Sequence, residues 1–445
     1  MRWPEFVQTQ LESGATGVVG ESQPRLARYA ALETECQALD AGPALVDRSY
    51  RALLEVTGAD RATWLHNLTT NQVKNLGRGE GNYAFVLNIQ GRILFDVNLL
   101  VRADSIWLDL DRRFLETAKK HFAKYVITED VAVADRSDEF IRFGLVGSGA
   151  VSLLSELGAA NAGAMPTLGL SQIEWNDPSG GRQDQSRGRE PADNPTRERE
   201  RAEFVQSRDR EGADKQNRDC QGAVPAAATS NRSTPVAVPM MRHDFCGPFA
   251  VELFVPAEKA VDFWRTHVES GKAVPVGDDA VQIRRIEAGI PWPGHEITDE
   301  YLPAETRQLD RAVSFQKGCY LGQEVVERMR SRHVVARQLV GLRTDTPSPS
   351  EGEGRGEGPK PTGPSSAILS ATAPPLRSGF GHTVLDPDGK PTGQVTSACH
   401  SPTLGCPIAL AYVRTPHATP GTQLTMTSEG ESAIGATVAD LPFTA

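Results

Sequence analysis

The chain has 445 residues, 39% of them hydrophobic and 23% charged, a soluble globular composition with length for two or three domains. A formal net charge of -10 excludes a general nucleic-acid or membrane-surface binder, because neutralising phosphates requires clustered Lys and Arg. Six scattered cysteines (Cys36, Cys220, Cys246, Cys319, Cys399, Cys406) form no disulfide framework and point to a reducing compartment. The opening MRWPEFVQTQLESGATG lacks the basic-then-apolar order of a secretory signal, and no apolar run approaches the ~18 residues of a membrane span. A cytoplasmic protein is expected, and a monomer.

In chain order, the pattern predicts a helix over 26–39, a strand over 52–58 (ALLEVTG) and a helix over 59–68 (ADRATWLHNL). The last carries Asp60 in its first turn and Trp64, Leu65 and Leu68 on one face. Residues 82–110 alternate as a hairpin, and 112–125 read as a helix. The segment 175–235, which contains GGRQDQSRGREPADNPTRERERAEF, is nearly free of aliphatic residues. It cannot bury enough apolar surface to offset the entropy of ordering, so it reads as a disordered insertion. A strand is expected over 249–255, then a helix over 256–270 with Pro256 at its start. Another helix spans 278–288 and is closed by Gly289. The run Arg328, Arg330, Arg332, His333 and Arg337 reads as a solvated helix face rather than a basic patch.

From 334 onward the sequence reads as all-β, with VARQLVGLR, HTVLD, GQVTSA, IALAYVR and TQLTMT separated by turn residues. A second disordered insertion, 345–376, is dominated by Pro, Gly and Ser. A small closed barrel would hide the edges of so short a sheet. The organisation is therefore α+β: blocks at 25–174 and 236–333, then a barrel over 334–445.

The octapeptide Lys317-Gly318-Cys319-Tyr320-Leu321-Gly322-Gln323-Glu324 sets one cysteine between two glycines, beside a lysine, just before a helical run. Glycines allow close approach and φ > 0, and a helix N-terminus or an ammonium favours a thiolate. The alternative is a cysteine packed as a small hydrophobe. Lys317 would lower the thiol pKa, bind an anionic tail or simply be solvated. Gln323 and Glu324 would cap the adjoining helix or meet a heterocycle edge, and Tyr320 would stack on a flat ring or fill core. Cys399, His400 and Cys406 are too few for a closed metal site.

KGCYLGQE resembles the signature of the YgfZ-type folate-binding proteins, paralogues of the glycine-cleavage T-protein (aminomethyltransferase). ADRATWLHNLTTNQV, NYAFVLNIQGRILFDVNLLV, IRRIEAGIPWPGHEITDEYLPAE and IALAYVRTPHATPGTQL resemble successive segments of the same superfamily. The resemblance implies a GcvT-like fold of two intertwined α+β subdomains plus a C-terminal β-barrel, a three-lobed ring with a central cavity for tetrahydrofolate. It further implies support of iron–sulfur cluster assembly or repair, and through it tRNA modification, with Cys319 as the working residue. Iron–sulfur client enzymes or cluster-assembly proteins would be the partners. The alternatives are a folate-dependent aminomethyltransferase and a non-catalytic scaffold.

The resemblance also marks ligand-facing positions at Asn88, Arg285 and Glu287, and Trp292 of the rigid Pro291-Trp292-Pro293-Gly294-His295 wedge would line the cavity or pack in the core. Arg285 would pair with a folate tail carboxylate or form an ordinary ion pair. Two departures from the T-protein stand out. Its aspartate pair is reduced to Phe95-Asp96, and on a strand Asp96 faces away from its neighbour; if the lost aspartate is the working one, Asp96 cannot reach the same ligand atom. Its Tyr-Thr-Gly-Glu turn becomes Phe245-Cys246-Gly247-Pro248 without a glutamate, leaving Asp244 as a substitute.

Overall fold

The computed structural model describes residues 3–19, 25–177, 235–332, 335–344, 375, 382–427 and 433–443. Nearly all of both expected insertions, and Cys220, lie outside the described residues.

A first, antiparallel sheet has the strand order Gly81–Leu87, Ile93–Val101, Ile106–Asp111, Arg51–Thr57, Ala132–Asp135. Period-2 alternation divides its two faces. Along Ile93–Val101, Phe95, Val97 and Leu99 pack with Trp64 and Leu65 of the helix Arg61–Leu68 and Phe122 of the helix Leu115–Ala123. Asp96, Asn98 and Leu100 point the other way. The second sheet has the order Leu170–Trp175, Val236–Arg242, Ala250–Pro256, Phe140–Val146, Ala44–Asp47, Val274–Val276. It therefore draws on both halves of the sequence, and its Val274–Val276 strand runs parallel to its neighbour. Phe143, Leu145, Val251 and Leu253 form its outer face, under Phe263 and Trp264 of the helix Ala260–Trp264 and Phe6 of the helix Trp3–Glu12.

The inner faces of the two sheets share one apolar cluster, in which Leu53, Tyr83, Phe85 and Trp107 of the first join Met241 and Phe254 of the second. The C-terminal part forms a closed six-stranded barrel, in the order Arg337–Thr344, Cys406–Arg414, Pro391–Ser401, Thr383–Leu385, Gln423–Thr427, Ile434–Ala439. Closure leaves no strand edge. The helix Asp278–Glu287 packs on the barrel. There Arg285, fully buried, donates to Ser397 Oγ at 2.6 Å and to Glu296 at 2.8 Å.

Three sequence expectations need correction. The helix placed at 26–39 is a strand, Arg25–Arg28, paired with Thr16–Val19, and then a helix at Leu32–Ala41. The buried Glu35 carboxylate accepts the amides of Tyr29, Ala30 and Gly277, which holds the chain in a turn before the helix. The block expected to open at residue 25 is joined by the earlier helix, whose Phe6 is 1% exposed. Pro256 ends a strand rather than starting a helix. Beyond it the chain passes from a short 3-10 turn, Ala257–Lys259, through Ala260–Trp264 into a π turn, Arg265–Glu269.

Candidate functional site

A cleft opens beside the polar part of the inter-sheet face, with a cavity volume of about 40 Å³. Such a volume holds about three waters, so a larger ligand needs the lining side chains to move apart. Strand pleat brings Asp96 and Asn98 to one wall. His243, Asp244 and Phe245 come from the end of Val236–Arg242, and Trp292 from the rigid Pro291-Trp292-Pro293 segment. The Asp96 carboxylate accepts the Tyr83 hydroxyl at 2.9 Å through one oxygen. Its other oxygen is buried and has no partner among the described residues. Burial pushes the Asp96 carboxyl pKa up, against the opposing pull of Arg51.

A buried charge network, part of which lines the cleft, ties the sheets together. Arg51 donates to Asp109 at 2.6 Å, and Arg142 donates to Asp109 at 3.0 Å and also to Glu252. Arg48 donates to Glu252 at 2.6 Å, and His243 Nδ1 lies 2.8 Å from the same carboxylate. Burial works to raise the Glu252 pKa, but Arg48 and Arg142 overcome it and hold the group well below the usual carboxylate range. The ionised carboxylate is thus compensated and hydrogen-bonded, the condition for keeping charge inside a protein.

Of the residues singled out in the sequence, Asp96, Asp244 and Trp292 line this cleft. Asp244 is ion-paired with Arg242. Phe95 faces the helix layer, so the strand position that looks into the cleft is the one that retains its carboxylate. Asp96 and Phe95 thus face opposite sides of the strand, as expected from the pleat. Arg285 and Glu287 are not in the cleft. Both are buried at the barrel, Glu287 accepting from Ser401, and neither is a solvated surface charge. Asn88 spends its side-chain oxygen on the amides of Gln90 and Arg92 at 2.9 and 3.0 Å, closing the hairpin turn.

The octapeptide also lies outside the cleft lining. The Lys317 ammonium donates to the carbonyls of His66, Thr69 and Asn71 at 2.5, 2.6 and 2.8 Å, capping the end of the helix Arg61–Leu68. All its donors are spent there, so it is neither an anion clamp nor a solvated lysine. Burial, with Lys74 nearby, pushes its pKa down to about 7. Tyr320 is buried, its ring 5.1 Å from that ammonium. Gln323 accepts the Tyr320 amide at 3.2 Å and Glu324 pairs with Arg328 on an exposed face. Gly322 has φ +82 and a Cβ there would sit 2.7 Å from the Asn88 carbonyl oxygen, whereas a Cβ on Gly318 would meet nothing. Cys319 is a free, exposed thiol. Cys399 and Cys406 are buried, and among the described residues no group of three or more His, Cys, Asp or Glu is placed to hold a metal.

Sequence reading missed Arg48, Tyr83, Asn98, His243, Glu252 and Arg311. A signal was there for two of them: polar residues interrupt otherwise apolar strands at Asn98 in ILFDVNLLV and at Glu252 in AVELFV.

The same architecture is matched in known proteins. The GCVT N-terminal domain matches residues 8–177 and 226–317, more than half of the chain, and the glycine cleavage T-protein C-terminal barrel domain matches 370–444. The chain belongs to the glycine cleavage T-protein family. Its fold is the GcvT-like one, with mixed α/β domains and a closed six-stranded barrel. An aminomethyltransferase of Cutibacterium acnes is 26% identical over 98% of this chain and 96% of its own length. One from Saccharopolyspora erythraea is 33% identical over 46% of this chain, which spans 49% of that relative. The crystal structure of glycine cleavage system aminomethyltransferase T from Bartonella henselae shares the fold, with TM-score 0.70 and 18% identity over 98% of this chain and 96% of that one. The first domain match stops at Lys317 and the second begins at 370, so residues 318–324 lie between them.

Proposed function

We propose that this T-protein family member binds a reduced folate in the inter-sheet cleft and takes part in folate-dependent aminomethyl transfer. The observation that carries the reading is the buried Asp96 carboxylate on the cleft wall, with one oxygen that has no partner among the described residues. Relatives named aminomethyltransferase, aligned over nearly the whole chain, support it.

The residues fit such a ligand. Phe245, Trp292 and Tyr83 offer flat apolar surface to a pterin. Asp96 and Asn98 offer acceptors for its N–H edge. Arg311, whose guanidinium lies 4.2 Å from the centroid of the Tyr83 ring, is a cation suited to the carboxylates of a folate tail. Tetrahydrofolate, when bound, supplies the nitrogens that accept a one-carbon unit. Asp96 then orients those nitrogens and holds or passes a proton at its free oxygen.

The test is a glycine-cleavage assay with tetrahydrofolate and a lipoylated carrier protein, run beside a thermal-shift titration. Turnover in the wild type and its fall by about 10² to 10⁴ in Asp96→Asn support the reading. Stabilisation by tetrahydrofolate without turnover leaves a folate-binding protein that is not this enzyme. Absence of both points to a scaffold.

A second reading is favoured by one observation: the KGCYLGQE loop holds an exposed free thiol away from the cleft, in a segment between the two family matches. In this YgfZ-type reading the protein supports iron–sulfur cluster assembly or repair, and through it tRNA modification. Cys319 would act on iron–sulfur client enzymes or cluster-assembly proteins. Complementation of a cluster-maintenance mutant by wild type but not by Cys319→Ala is expected. Full complementation by Cys319→Ala removes this reading.

A further inference from the structure

Resting on the folate reading, we propose that His243, Asn98 and Asp96 make the cleft an acceptor-lined site selecting the reduced, N–H-bearing pterin over the oxidised one, with His243 the deciding residue. The hydrogen-bond partners fix each group's role. Glu252 is an ionised, acceptor-only carboxylate already receiving Arg48 and Arg142. The His243 Nδ1 that meets it at 2.8 Å must therefore donate. In a neutral imidazole so anchored, Nε2 carries the lone pair. Among the described residues Nε2 has no partner, and it is not sealed off by the protein. Burial pushes the His243 pKa down against the opposing Glu252 bond, and the cations Arg48 and Arg311 act in the same direction.

Asn98 obeys the same constraint. Its Nδ2 donates to the Asp109 carboxylate at 2.8 Å, which leaves Oδ1 as a buried acceptor with no partner among the described residues. The second oxygen of Asp96 is likewise buried and has no partner among the described residues, so of the three acceptors His243 Nε2 is the one the protein does not cover. The donors that line the cleft are largely spent on the protein: Arg48 on Glu252 and Tyr50, Arg51 on Asp109, and the Tyr83 hydroxyl on Asp96. Arg311 is the exception.

A reduced pterin presents N–H groups where the oxidised ring presents bare nitrogens. Facing an acceptor, the N–H forms a bond, whereas the bare nitrogen leaves two lone pairs opposed and unsatisfied. A mismatch of this kind discriminates by about tenfold or more.

The experiment is anaerobic titration calorimetry of the full chain with tetrahydrofolate and with folic acid, for wild type, His243→Leu and His243→Gln, with folding checked by circular dichroism. Wild type is expected to bind tetrahydrofolate at least about tenfold more tightly. His243→Leu brings the two ligands within about threefold, and His243→Gln, whose amide oxygen is an acceptor, keeps the preference. Equal preference in wild type and His243→Leu, or no preference in wild type, overturns the proposal and leaves folate binding standing. Failure of wild type to bind either ligand overturns the folate reading and the proposal together. If His243→Leu does not fold, ¹⁵N NMR of the wild-type ring decides. A neutral Nδ1–H tautomer is expected, and an Nε2–H tautomer or an imidazolium overturns the proposal.

Discussion

Two adjacent residues, Phe95 and Asp96, show how strand pleat assigns chemistry. One side chain joins the helix-covered core and the other enters the cleft. Restoring an aspartate pair by Phe95→Asp should therefore add no ligand contact. It should instead bury an unpaired carboxyl and cost about 3 kcal/mol or more, read as a lowered urea midpoint. Histidines supply a second prediction at this scale. His66 and His121 are held at pKa about 4, by burial first and then by neighbouring ammonium groups, Lys317 and Lys74 for His66 and Lys124 for His121. In the unfolded chain both titrate near the ordinary 6.5. Between those values the unfolded state binds protons that the native state does not, so stability falls as pH drops from 6.5 toward 4. Unfolding midpoints measured across that window should show the drop. His121→Phe, which keeps the ring contacts with Phe95, Phe122 and Tyr125, should make it shallower.

At the scale of elements, the octapeptide is first a joint. Lys317 closes the helix Arg61–Leu68 and the 69–71 turn by three hydrogen bonds. Lys317→Met should leave those carbonyls short of donors and cost about 1–3 kcal/mol in denaturant unfolding. The two signature glycines should behave differently. At Gly322 a side chain meets both a positive φ and the Asn88 carbonyl, so Gly322→Ala should destabilise by about 1–2 kcal/mol or more. Gly318→Ala should stay within about 0.5 kcal/mol. Gly318 therefore serves the loop around Cys319 without being needed by the fold, while Gly322 lets the loop and the hairpin touch.

Across the whole molecule, the charge network joins two sheets assembled from distant parts of the sequence. Arg142 bridges Asp109 of the first sheet to Glu252 of the second. Removing one member leaves its partners charged and buried. Glu252→Leu should cost about 3–5 kcal/mol by equilibrium unfolding. It should also release His243, coupling the loss of stability to a loss of ligand selection.

Much of this was legible in the sequence because it depends on local pattern. Alternation in ILFDVNLLV and AVELFV marks strands, the Trp64, Leu65 and Leu68 spacing marks a helix face, and the ordered segments around KGCYLGQE mark the family. The Arg25–Arg28 strand was not legible, because it exists through pairing with Thr16–Val19 and through a turn held by Glu35. Nor was the site. Arg285, Glu287 and Asn88 have the chemistry of ligand-binding residues, yet packing commits them to the barrel and a turn. His243 and Asn98 became visible only when two sheets distant in sequence met at one cleft. Local residue order therefore determined the elements and the lineage of this chain. Which polar groups are spent and which stay free was decided by long-range contact, because a hydrogen bond to a partner remote in sequence leaves no local trace.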